Sequence, residues 1–145
     1  MSQPANPDFE NMVRNSFARQ GAMSLIKAEL TSVTHGTAEI TVPHWEGLEQ
    51  QHGYIHGGVV GMVADSAAGY AAMSIIPRNA NVLSVEYKLN FAAPAQGEQL
   101  VARGRVLRPG RTLIVSAADV YSIEDGREVL CAIMQQTIIV LYDKK

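Results

Sequence analysis

The chain has little of what several protein classes require. It carries one cysteine, Cys131, in 145 residues. A lone cysteine cannot close an intramolecular disulfide, and no metal-ligand spacing surrounds it, so it reads as a core residue in an apolar run. Charged residues are 18% of the chain and the net charge is -2, which gives no electrostatic reason to expect nucleic acid or an anionic membrane as partner. Internal repeats, low-complexity tracts and linkers are absent. The polar segment Met1–Asn11 has no apolar signal-peptide region, so a cytoplasmic protein is expected. What is present is a hydrophobic fraction of 47%, enough for one domain over 1–145 with a substantial core.

One stretch dominates. Between Glu49 and Arg78 the only formal charge is Asp65, with histidines taken as neutral. The run Val59–Met73 is too long for a typical strand and rich in Ala and Met, so it predicts a helix. It is apolar nearly all round, which places it inside the protein rather than on a surface. Gly57 and Gly58 mark its start and Pro77 its end. Ile55–Ile76 is about long enough to span a bilayer, but Asp65 near the bilayer centre would cost roughly 3 kcal/mol, so a buried helix is the better reading.

The remaining chain supplies the wrapping. Met1–Pro7 reads as a disordered lead. Phe9, Met12, Val13 and Phe17 stand at helical spacing and predict a short helix from Asp8, stopped at Gly21. Leu25–Leu30 reads as a strand, followed by a turn at His35-Gly36 and an alternating strand over Thr37–Val42. Beyond Pro77, Val82–Phe91 alternates, with Val85, Tyr87, Leu89 and Phe91 on one face and Ser84, Glu86, Lys88 and Asn90 on the other. Further strands are expected over Leu100–Leu107, Thr112–Ile123 and Glu128–Tyr142, joined by short turns that imply antiparallel neighbours. The inventory is an α+β domain: five to six antiparallel strands curved around one long central helix, with a short N-terminal helix. A sheet curved in this way leaves surfaces to cover, which points to association with further copies.

The residues now carry a likeness. His56-Gly57-Gly58, with Asp65 seven residues after the second glycine, resembles the motif of the hotdog-fold acyl-CoA thioesterases, and most closely the PaaI-type branch named for phenylacetate degradation. The likeness continues through Ser84–Phe91 and Pro94 and the hairpin Arg108-Pro109-Gly110-Arg111-Thr112. The resemblance implies a hotdog fold and metal-free hydrolysis of an acyl-CoA by a homodimer or homotetramer. It implies no cofactor, since CoA is part of the substrate. It implies that the Gly58 amide polarises the thioester carbonyl and that Asp65 is nucleophile or general base. Gln50, or Gln51 if the loop register differs, matches a residue that positions water, and Ser84 matches a strand serine that helps hold it. Gly57, Arg111 and Thr112 are the corresponding substrate contacts, with Arg111 the candidate for the CoA phosphates.

The same residues can be read from chemistry. A thioester needs a hold on its oxygen and a nucleophile or base beside its carbon. A helix start offers free N–H groups and a positive dipole end, and glycines there let a ligand approach the backbone. Seven residues at a rise of ~1.5 Å put Asp65 about 10 Å from Gly58, too far for one carbonyl to touch both. An antiparallel second copy would bring its Asp65 opposite the first copy's Gly58, so a site shared across a two-fold axis is expected. His56 has no Ser or Cys nucleophile beside it and reads as ordering the helix start. Two other readings stay open: a hotdog hydratase or dehydratase pairing His56 with Asp65, and a non-catalytic acyl-CoA-binding module.

Overall fold

The structure is a computed structural model that describes residues 3–145. The element order is α1 (Phe9–Ala18), α2 (Gly21–Leu25), β1 (Glu29–Thr34), β2 (Thr37–Pro43), α3 (Gly57–Met73), β3 (Ala80–Phe91), β4 (Gln99–Pro109), β5 (Leu113–Glu124) and β6 (Arg127–Tyr142). The strands form one sheet in the order β1-β2-β4-β5-β6-β3, antiparallel at every pairing. The sheet wraps α3, which packs against all six strands.

α3 is buried because its sequence leaves no polar face. Val60, Val63, Ala64, Ala67, Ala68, Ala71 and Ala72 are all essentially inaccessible. Alanines and glycines bring the sheet close: a Cβ on Gly104 of β4 would stand 2.2 Å from the Ala67 carbonyl oxygen, so only glycine lets β4 lie against this turn of the helix. Beside β4, the row Ala38, Ile40 and Val42 of β2 turns inward as the alternation predicts. The tight turn at Asp125-Gly126 has both residues at positive φ, 51° and 78°, which is the geometry of a two-residue hairpin.

Three local expectations are corrected. Gly21 does not end the helical region; it begins α2, and the chain then reverses at Lys27 with φ 62°. The stretch from Leu25 is therefore strand only from Glu29, and Leu25 is exposed because it sits at the end of a five-residue helix. Within the lead, Asn6 is buried, and its Oδ1 accepts hydrogen bonds from the Asp8 amide at 3.0 Å and from Arg78 Nε at 3.1 Å. The part of the expected disorder that falls on Met1 and Ser2 lies outside the described residues.

The third correction concerns β3. Ser84 pairs with Ile138 and Glu86 with Thr137, so two steps on β3 match one on β6 and Val85 is the extra residue of a β-bulge. The bulge resets the alternation. Ser84 therefore faces α3 with Tyr87, Leu89 and Phe91, not outward with Glu86, Lys88 and Asn90. Among the described residues no helix is long and apolar enough to cross a membrane.

Candidate active site

The site is built along one face of α3. Gly57, Gly61 and Asp65 stand four residues apart and so stack on one stripe of the helix. β3 runs antiparallel beside that stripe. A Cβ on Gly57 would meet the Phe91 ring at 2.9 Å, and one on Gly61 would meet Tyr87 Oη at 3.2 Å. At the next step Ser84 donates from Oγ to Asp65 Oδ1 at 2.6 Å.

The helix start is capped by its own motif. Gly58 N–H donates to His56 Nδ1 at 2.8 Å, so that ring nitrogen is unprotonated and the side chain acts as the N-cap. The Gly58 amide is thereby occupied, whereas the Gly57 N–H has no hydrogen-bond partner among the described residues. Gly57, with Gln50, Tyr54, Val60 and Phe91, lines a cavity of about 510 Å³. Gln50 Oε1 accepts from the His52 amide, which orders the loop, and Gln51 lines neither this cavity nor the one at Asp65.

Asp65 opens into a different cavity of about 280 Å³, with Ser84, Ser66, Tyr70, Val82 and Gln20 among its walls. Gln20 from the segment joining α1 to α2 donates to Tyr70 Oη at 2.9 Å and accepts from Ser66 Oγ at 3.3 Å. The N-terminal helices thus roof the carboxylate's cavity, a role beyond simple packing. The carboxylate itself has a partner that sequence reasoning missed. Gln136 of β6 is 1% exposed, and its Nε2 donates to Asp65 Oδ1 and, at 2.8 Å, to Ser84 Oγ. The available signal was an amide in the inward row Ala132, Met134, Gln136, Ile138 and Val140, where every other residue is apolar.

Within one chain, then, the free helix-start amide and the carboxylate face separate cavities with no wall residue in common. Arg111 joins neither. It lines a third cavity of about 650 Å³ beyond the C-terminal end of α3, with His35, Arg105 and Tyr142, and its carbonyl accepts from Tyr142 Oη at 2.8 Å. Thr112 is fixed there through its backbone, its carbonyl accepting from the Val140 amide at 2.8 Å. The marked charge interactions lie away from the site, on the outer sheet face. There Arg103 is held more firmly protonated by hydrogen bonds to Glu128 and Glu39, and the Arg103 hydrogen bond holds the Glu128 carboxyl below its usual range.

Comparison with known proteins agrees with this fold. Residues 52–129 match the thioesterase superfamily, a span that includes the His56-Gly57-Gly58 motif, Asp65 and Ser84. A thioesterase family protein of Silicibacter pomeroyi superposes with a TM-score of 0.91 at 43% identity, covering 92% of this chain and 98% of that one. The 1,4-dihydroxy-2-naphthoyl-CoA hydrolase of Listeria monocytogenes is 30% identical over 86% of this chain and 99% of its own length. The PaaI protein of E. coli shares the fold, with a TM-score of 0.84 over 97% of this chain and 98% of that one, at 16% identity. The curved six-stranded sheet around α3 is the hotdog fold of these proteins, and the chain belongs to the thioesterase superfamily as a thioester hydrolase.

Proposed function

We propose that this enzyme hydrolyses an acyl-CoA to a carboxylic acid and CoA, at a site completed by a second copy of the chain. The observation that carries the reading is the separation of the Gly57 amide and the Asp65 carboxylate into two cavities along one helix stripe. The thioester oxygen is held by the Gly57 N–H at the positive end of α3, which revises the expected donor from Gly58, whose N–H is taken by His56. Gln50 lies beside that amide, in reach of the same group. Asp65, from the other copy, either attacks the carbonyl carbon or removes a proton from the water that does. In the first case the C–S bond breaks as a mixed anhydride forms, and water then hydrolyses the anhydride to the acid and free Asp65; in the second, the water oxygen bonds to the carbon as the C–S bond breaks. In both, CoA leaves as the thiolate and takes up a proton released by the water.

The fold offers the surface that such a pairing needs. β3 ends the sheet and pairs only with β6, leaving one long backbone edge open. Leu83, Val85, Tyr87 and Phe91 on it are 60%, 57%, 47% and 60% exposed, which is unusual for a long edge strand unless something covers it. Two β3 strands joined antiparallel about a two-fold axis would set the two α3 helices side by side in opposite directions. A further apolar row, Leu113, Ile139 and Leu83, crosses three neighbouring strands on the outer face and supports a dimer of dimers. In such an assembly Arg111 reaches the CoA phosphates of a site that its own Asp65 does not serve. A relative named acyl-coenzyme A thioesterase 13, from Mus musculus and 31% identical over 55% of this chain, favours the CoA thioester as substrate.

The test is thiol release from short, medium and long-chain and aryl acyl-CoAs, run on wild type beside Asp65→Asn. Turnover of at least one class that collapses in the variant is the expected result. Binding of acyl-CoA without release from any of them would contradict the reading.

A further inference from the structure

Gln136 is a residue that packing alone does not explain. Its neighbours in the inward row of β6 are Met134 and Ile138, both fully buried and apolar. Its Oε1 has no hydrogen-bond partner among the described residues, and neither has the Oγ of Ser116, which faces it from β5. A buried amide that leaves half its capacity unused costs stability, and a methionine of similar length would fill the same space without that cost. The other half of the amide is fully engaged at Asp65. Gln136 Nε2 and Ser84 Oγ both donate to the same oxygen, Oδ1, and Nε2 also donates to Ser84 Oγ, which closes a three-membered network across β6, β3 and α3. Asp65 Oδ2 has no hydrogen-bond partner among the described residues.

We propose that Gln136 is a positioning residue for thioester hydrolysis, which locks the Asp65 carboxylate through Oδ1 and leaves Oδ2 as the reacting oxygen. The proposal rests on the reading of Asp65 as the catalytic carboxylate. Two donors on one oxygen fix the carboxylate plane, because rotation about the Cβ–Cγ bond would break both hydrogen bonds at once. Fixing a reacting atom in this way matters kinetically, because a displacement of about 1 Å can lower a rate ~10²-fold. Gln136 thus exchanges stability for geometry at the reacting centre, as buried polar groups at functional sites do.

The experiment measures kcat, KM, their pH profiles and thermal unfolding for Gln136→Met, Gln136→Glu and Asp65→Asn beside wild type. Gln136→Met should lower kcat about 10–100-fold with KM within about threefold, a split that a merely structural role would not give. Its melting temperature should equal or exceed that of wild type. Gln136→Glu restores a donor only while its carboxyl keeps a proton, so its activity should fall again as pH rises. A Gln136→Met enzyme with wild-type kcat would overturn the proposal, and so would one that fails to fold, since the amide would then be a packing requirement. Asp65→Asn separates the two readings. If it is inactive while Gln136→Met is unaffected, only the role of Gln136 falls; if it retains activity, the role of Asp65 falls with it.

Discussion

Ser84 Oγ reaches Asp65 Oδ1 at 2.6 Å because Val85 is bulged out of the β3–β6 ladder. In a regular strand, Ser84 would share a face with Glu86 and point away from the helix. The bulge turns it inward beside the carboxylate, a common use of bulges near active sites. Ser84→Ala removes one of the two donors to Oδ1 and leaves the strand intact. It should lower kcat about tenfold with little change in KM, measured by steady-state thiol release.

His56 caps the helix start. Its Nδ1 accepts from the Gly58 amide at 2.8 Å, the N-cap interaction usually made by Ser, Thr, Asp or Asn. His56→Ala should cost about 0.5–2 kcal/mol of stability, read from denaturant unfolding. His56→Asn should recover most of that stability and most of the activity, because asparagine caps well and has no titrating group in this range. An inactive but stably folded His56→Asn enzyme would instead give the imidazole a chemical role.

The two motif glycines should differ. A Cβ at position 57 would press on the Phe91 ring at 2.9 Å and stand at the mouth of the cavity where the free amide points. A Cβ at position 58 would press on His56 Nδ1 at 3.0 Å, on the side of the cap. Gly57→Ala should therefore reduce kcat/KM about 10–100-fold, as expected for damage to an oxyanion donor, whereas Gly58→Ala should cost mainly stability. Kinetics and melting curves of the two variants decide between these effects.

Cys131 is a structural thiol. It is 1% exposed, and burial pushes its pKa up from the usual 9.0 to about 11. The native protein should resist Ellman's reagent at pH 8 and react once on unfolding. The raised value also fixes a sign: the folded state favours the protonated thiol. Its contribution is complete below pH 9.0 and is lost as pH rises towards about 11. Cys131→Ala should flatten that alkaline loss of stability.

Much of this was legible from residue pattern, and the rest was not for definable reasons. α3 could be read because its apolar run has one charge and glycine and proline at its ends, and the period-2 row of β2 could be read because one face is buried. α2 was missed because five residues carry too little periodicity to separate a helical turn from a strand. The inward turn of Ser84 was missed because a bulge is a property of two paired strands, and no single strand encodes which residue its partner skips. Nor does sequence alone reveal that His56 takes the neighbouring Gly58 amide. Gln136 stands 71 residues from Asp65, so only the fold brings them together.

The central claim is that neither copy alone holds a complete site, and complementation tests it directly. A heterodimer purified through two different tags, one chain carrying Asp65→Asn and the other Gly57→Val, has one site with both lesions and one with neither. A shared site predicts roughly half of the wild-type kcat per dimer, against near-zero activity for each variant homodimer. A heterodimer as inactive as the two homodimers would mean that Gly57 and Asp65 serve the same chain's site, and would contradict the account.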